Sequence, residues 1–261
     1  MKSASSRRGP KTPDGLDQVY GVHALQSLLD RGEAPRELWV QQGAGSRLKE
    51  LIAQAQTHGA RVKEQPRDLL DQLTQGAAHQ GVVAFCPPLT PEGEESLWLK
   101  LRAWPSSTPP LLLILDGVTD VHNFGACLRS ADAAGAHGVI VAKDKAAPLN
   151  ATVRKVACGA AEVVPVYQVT NLARTLAKLK DAGVWITGTA GEAEASVFDI
   201  DMTGPTALVM GAEGKGMRRL TREACDNLAK LPMAGEVSSL NVSVATGICL
   251  FEAVRQRQLA S

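Results

Sequence analysis

From residue 111 onward the chain repeats one pattern: a short apolar run, then a helical stretch. Leu111–Leu115, Gly138–Ala142, Glu162–Val166, Val184–Gly188 and Thr206–Met210 are the apolar runs. Their length and β-branched content suit strands buried on both faces, as in a parallel sheet. The stretches Asn123–Ala134, Ala151–Ala157 and Asn171–Asp181 have helical character and lie between the runs. This alternation predicts a doubly wound α/β domain over residues 110–261, closed by a strand near Leu228–Leu231 and a long helix over about Leu240–Gln258.

Residues 18–87 form a smaller α/β block. Helices are expected at Val22–Asp30, Leu48–Thr57 and around Pro66–Leu73, and short strands at Leu38–Val40, Arg61–Lys63 and Gly81–Cys86. Two proline clusters, from Pro87 to Pro91 and from Pro105 to Pro110, mark residues 88–109 as a linker. Residues 1–17 carry Lys2, Arg7, Arg8 and Lys11 among Ser, Gly and Pro, and read as a disordered basic tail.

With 28 basic against 27 acidic residues, bulk charge points to no polyanionic partner, so any nucleic-acid contact must be local. Five scattered cysteines with no CxxC pair argue for reduced thiols in the cytoplasm and against a zinc site. No apolar run is long enough for a membrane span, and no metal is expected.

Three segments depart from the repeating pattern, each just after a strand, where open α/β sheets bind ligands. The first runs from Asp116 to Gly125 and leads into a helix carrying Arg129; Asn123 reads as its N-cap. The second, Met210 to Met217, has three glycines in six residues but neither P-loop spacing nor a following hydroxyl, and Glu213 would repel a phosphate. It suits a ligand other than a phosphate. Lys215, Arg218, Arg219 and Arg222 follow, either as a phosphodiester contact or as a solvated helix face. The third, Leu231 to Ala245, sets Ser and Asn before a helix whose first turns are small, suited to close packing within or between chains.

In order and spacing these segments resemble the three motifs of the SpoU (TrmH) family of SPOUT methyltransferases. The matching stretches are Asn123–Ser130, Gly211–Gly216 and Ser239–Ala245. Tyr20–Ala24 and His79–Ala84 are similar to the small ribosomal-protein-L30e-like domain of the subgroup acting on 23S rRNA. The resemblance implies a C-terminal SPOUT domain with a parallel sheet and deep trefoil knot, an N-terminal L30e-like α/β domain that holds RNA, and a homodimer. It implies S-adenosylmethionine (AdoMet) as methyl donor against Gly211, Leu231, Met233 and Leu240, the glycines clearing space for the nucleoside. It further implies 2′-O-methylation of a guanosine ribose in 23S rRNA, with a tRNA or another rRNA nucleotide, or a non-catalytic RNA-binding scaffold, as alternatives. Arg129 then acts at the hydroxyl, Asn123, Glu213, Ser239 and Asn241 position it and the ribose, and Glu213 is the nearest proton acceptor. The family usually has Pro where this chain has Val121.

Overall fold

The computed structural model describes residues 12–43, 45–105 and 107–260 and divides after Leu89 into two compact units. The basic residues expected in a disordered tail, Lys2 to Lys11, lie outside the described residues.

The first unit contains β1 (Asp17–Tyr20), α1 (Val22–Asp30), β2 (Glu37–Gln41), α2 (Ser46–Thr57), β3 (Arg61–Gln65), α3 (Arg67–Thr74) and β4 (Val82–Cys86). Its sheet has the order β1-β4-β2-β3, with β2 and β3 parallel and the other pairs antiparallel. Alternation in the strands sends residues to two cores. Leu38, Val40, Val82 and Ala84 meet α1 and α2, while Val83 and Phe85 meet Leu70 and Leu73 of α3. The two sequence signatures of this unit interlock. Gln80, held at φ 51°, accepts the N–H of Val22 at 2.9 Å on the first turn of α1. Buried His79 accepts the Gly81 N–H on Nδ1 (3.0 Å), which leaves Nε2 to donate to Asp71 (2.8 Å).

The second unit contains β5 (Glu92–Gly93), α4 (Glu94–Arg102), β6 (Leu111–Asp116), α5 (Val121–Ala133), β7 (Gly138–Ala142), α6 (Ala151–Ala157), α7 (Ala160–Val163), β8 (Val166–Val169), α8 (Leu172–Asp181), β9 (Trp185–Thr189), β10 (Ala195–Ser196), β11 (Thr206–Gly211), α9 (Arg219–Glu223), β12 (Asn227–Lys230) and α10 (Val242–Ala260). Its eight strands are all parallel, in the order β10-β12-β9-β11-β6-β7-β8-β5. One face is covered by α4 and α8, whose Leu97, Leu172, Leu176 and Leu179 join Leu112, Ile114, Ile186 and Val209 in one core. On the other side α10 packs against α5 and β11. There buried Thr246 meets the Cys127 thiol at 3.4 Å, and burial pushes that thiol up to about 11, so it stays a neutral partner. The small first turns of α10 thus serve a close helix crossing within the chain.

Two sequence expectations give way. Residues 88–109 are not a bare linker: β5 joins the edge of the large sheet, and Leu97 of α4 is buried in its core. The proline clusters bound a structured segment rather than a free one. Glu162–Val166 is not a strand either. Glu162 sits in α7 as the buried partner of Arg154, and Pro165 ends the turn before β8 starts at Val166. The apolar character of 160–166 reflects burial rather than extended backbone. Among the described residues, no helix is long and apolar enough to cross a membrane, and no group of three His, Cys, Asp or Glu could hold a metal.

The Arg154–Glu162 pair is bidentate, and both side chains are almost wholly removed from solvent. Removing one partner of such a pair strands a buried charge, at a cost of about 3–5 kcal/mol. Glu162→Ala is therefore expected to lower unfolding free energy by that amount in urea titrations, well beyond the effect of an exposed substitution such as Glu95→Ala.

Candidate active site

The site lies at the carboxyl ends of the central strands. β11 pairs with β6 so that Gly211 stands opposite Asp116. Beyond Gly211 the chain closes into a tight loop: the Ala212 N–H donates to the Gly216 carbonyl (3.2 Å), and the Gly216 N–H donates back (2.8 Å). A Cβ on Gly211 would lie 2.4 Å from the Gly216 carbonyl carbon and the Met217 nitrogen. The glycine at 211 is therefore required for the loop to fold back on itself. Gly214 and Gly216 have φ of 73° and 65°, a region that favours glycine.

Asp116 fixes the far end of this loop. Its carboxylate is fully buried, accepts the Arg218 N–H at 2.7 Å and pairs with the Arg218 guanidinium. Strand pairing holds the loop's first residue and this carboxylate holds its last. The sequence marks Asp116 only as the start of the first segment and assigns it no role; the available signal was an acid ending a strand of otherwise apolar residues. The same contacts change the reading of the basic cluster. Arg218 pairs with Asp116, Arg219 with Glu223 (2.7 Å) and Arg222 with Glu192, so three of its four charges are engaged by acids.

Glu213, near the loop's tip, joins the three motifs. Its Oε1 accepts from Asn241 Nδ2 (2.7 Å), from the Val242 N–H (3.1 Å) and from Asn123 Nδ2 (3.2 Å). Asn241 Nδ2 also donates to Asn123 Oδ1 at 2.9 Å. Asn241 in turn caps α10, its Oδ1 accepting the Ser243 N–H (2.9 Å) and hydroxyl (2.6 Å). A carboxylate at the start of a 19-residue helix is favoured by the helix dipole and by charge-assisted hydrogen bonds.

Asn123 is not the cap of α5. That place belongs to Asp120, whose Oδ1 accepts the Asn123 N–H at 2.8 Å. The helix begins two residues earlier than the sequence suggested. This puts Asn123 inside the first turn and leaves its side-chain amide for Glu213 and Asn241. Val121 is then the first helical residue, where Pro is well tolerated.

A cavity of about 670 Å³ opens beside this cluster, within the usual range for a small-molecule site. Gly211, Leu231, Met233 and Leu240 line it, as do Glu213, Ser239 and Asn241. Thr189 at the end of β9, with Ala190 and Gly191 after it, forms a wall that the sequence did not flag. Arg129 stands apart. It is exposed on α5, and its polar contact among the described residues is a long one, Nη1 to Cys158 Sγ at 3.7 Å. The structure thus joins Asn123, Glu213 and Asn241 by hydrogen bonds, adds Ser239 on the cavity wall, and leaves Arg129 outside the cluster.

Residues 110–251 match the SpoU rRNA Methylase family. The chain belongs to this family. Residues 18–92 match the family described as RNA 2'-O ribose methyltransferase substrate binding. The chain is 58% identical over 246 residues to 23S rRNA (guanosine-2'-O-)-methyltransferase RlmB of Pseudomonas putida, covering 94% of this chain and 98% of that protein. It is 56% identical to RlmB of Escherichia coli K12, covering 92% and 99%. Among solved structures, the SpoU methyltransferase AviRb from Streptomyces viridochromogenes in complex with AdoMet superimposes with a TM-score of 0.75 at 28% identity, covering 94% of this chain and 92% of that one. An AdoMet-bound rRNA methyltransferase from Sinorhizobium meliloti gives 0.72 at 26% identity, covering 92% and 87%.

SpoU methylases use AdoMet, and the cavity suits it: apolar Leu231, Met233 and Leu240 beside exposed loop backbone and a few polar groups. Two outcomes are expected. Asp116→Asn frees one end of the glycine loop and should weaken AdoMet binding about tenfold by calorimetry, with the chain still folded by circular dichroism. Val121→Pro suits the extended Asp120 before it (φ −78°, ψ 124°) and should raise stability by about 0.4–1 kcal/mol in thermal melts.

Proposed function

We propose that this chain transfers the methyl group of AdoMet to the ribose 2′-oxygen of a guanosine in 23S rRNA. The observation that carries this reading is the convergence of all three motifs on Glu213 Oε1 at the wall of a ligand-sized cavity. The near full-length similarity to RlmB proteins favours 23S rRNA and guanosine over other RNA targets.

AdoMet, when bound, supplies an electrophilic methyl group. The chain's own residues align the incoming oxygen and deal with its proton and charge. Glu213 Oε1 is committed to three donors, so its first task is to hold Asn123 and Asn241 in place; Oε2 remains as the oxygen that takes the hydroxyl proton. Ser239 and Asn241 orient the ribose at the cavity wall. The Arg129 guanidinium offers N–H donors and no acceptor, so it serves as an anion binder rather than a base, gripping the neighbouring phosphate and stabilising charge on the 2′-oxygen.

The position of Arg129 outside its own cluster goes with a homodimer in which it serves the partner's cavity. Val244, Ile248, Phe251 and Leu259 form an exposed apolar stripe along α10, spaced for one helix face, and this stripe supports the dimer. Residues 18–87 hold the structured RNA. The trefoil knot belongs to this reading as well; the meeting of residues 231–242 with loop 211–216 at one cavity supports it. Bacterial rRNA as substrate makes the cytoplasm the place of action.

Arg129→Ala should lower kcat on a 23S rRNA transcript by about 10²–10³-fold with AdoMet binding intact. Mixing it with Glu213→Ala chains before refolding should restore part of the activity, because one heterodimer cavity would combine both intact groups. Near-normal turnover by Arg129→Ala would overturn the central assignment.

A further inference from the structure

We infer that the loop between β7 and α6, residues 143–150, is a phosphate-contacting surface for the RNA strand flanking the methylated nucleotide, with Lys143 and Lys145 as its contacts. The inference rests on the proposed function and extends it to the path of the substrate.

Topology gives the first argument. β7 neighbours β6, which neighbours β11, and all three are parallel. Their carboxyl ends therefore lie on one edge of the sheet. At the usual spacing between strands, the end of β7 is about 10 Å from the start of the glycine loop. That separation places the loop beside a nucleotide next to the target rather than at the target itself.

The loop is also held in place. The Lys143 N–H donates to the Val169 carbonyl at 2.8 Å. The Ala147 N–H donates to the carbonyl of Val118, in the first motif, also at 2.8 Å. Asn150 caps α6 by accepting from the N–H groups of Thr152 and Val153. Between these anchors Lys145 is fixed at φ 58°, an uncommon conformation for a residue with a Cβ, and its side chain is exposed. A held loop presents its charges without a large ordering cost when a strand docks.

Charge supplies the third argument. Lys143 and Lys145 are exposed, and neither makes an ion pair among the described residues. From this loop α6 leads past exposed Lys155 to Cys158, which touches Arg129. The exposed acids nearby are Asp144 within the loop, Asp120 at the cap of α5, and Asp132 on α5. The cluster after the glycine loop is different, because Arg218, Arg219 and Arg222 each face a carboxylate. Lys143 and Lys145 are thus, with Lys215 of the glycine loop, exposed cations at this edge that make no ion pair among the described residues.

The test compares two double variants of the full chain, Lys143→Ala/Lys145→Ala and Arg219→Ala/Arg222→Ala. Methylation of a 23S rRNA transcript is followed across RNA and salt concentrations, and RNA retention is measured by filter binding. The lysine variant should raise KM for RNA about tenfold, keep kcat and the AdoMet Kd within twofold, and flatten the log–log salt dependence of RNA binding by about one to two. The arginine variant should stay within twofold on every measure. Unchanged RNA affinity and salt slope in the lysine variant would overturn the inference, as would an equal loss in the arginine variant or a loss in kcat alone. An absence of methylation by the unaltered chain would instead refute the proposed function, and filter binding would still judge the two lysines.

Discussion

One carboxylate oxygen organises the catalytic end of this molecule. Glu213 Oε1 receives hydrogen bonds from segments that are 90 and 28 residues away in sequence, and each donor also does local work. Asn241 caps the last helix while it reaches Glu213; Asn123 lies in the first turn of α5 while it does the same. The arrangement places a negative charge at the start of α10, where the helix dipole and the Val242 N–H favour it. Without that oxygen, two helix starts and a glycine loop would have no common reference point.

Around this centre the parallel sheet acts as a frame. Strand pairing sets Gly211 opposite Asp116, and the buried Asp116 carboxylate then catches Arg218. The glycine loop is pinned at both ends and bonded across its middle, so its backbone is shaped before any ligand arrives. Such preorganisation suits a reaction whose donor is already activated and in which alignment is the larger task. Arg129 is outside this frame, on an exposed helix face beside the α6–α7 turn that the buried Arg154–Glu162 pair braces. The rigid part of the site and its freest charge are thus separate features of the fold.

The sequence and the structure disagree in instructive places. Asn123 read as a helix cap because Asn is a good one, yet Asp120 is as good and stands three residues earlier. Composition near a helix start rarely separates two acceptable caps, and choosing the wrong one hid what the Asn123 side chain is free to do. Residues 160–166 read as a strand because apolar runs do not distinguish a buried turn of helix from a buried strand. Residues 88–109 read as a linker because prolines cluster there, yet the nine-residue helix α4 between them is enough to bury Leu97. The basic cluster at 215–222 read as open to phosphate because its acidic partners, Asp116, Glu192 and the nearby Glu223, are mostly distant in the chain.

By itself the sequence determined the alternation of strand and helix, the segments that carry the site, and the family to which they point. Those properties are local, or reside in motifs whose order is preserved along the chain. Tertiary structure decided which atoms meet: that Glu213 binds both asparagines, that Asp116 closes the glycine loop, that three arginines are already paired, and that Arg129 remains outside. These are contacts between groups far apart in sequence, and only the packing of the sheet with its helices fixes the distances on which hydrogen bonds and ion pairs depend.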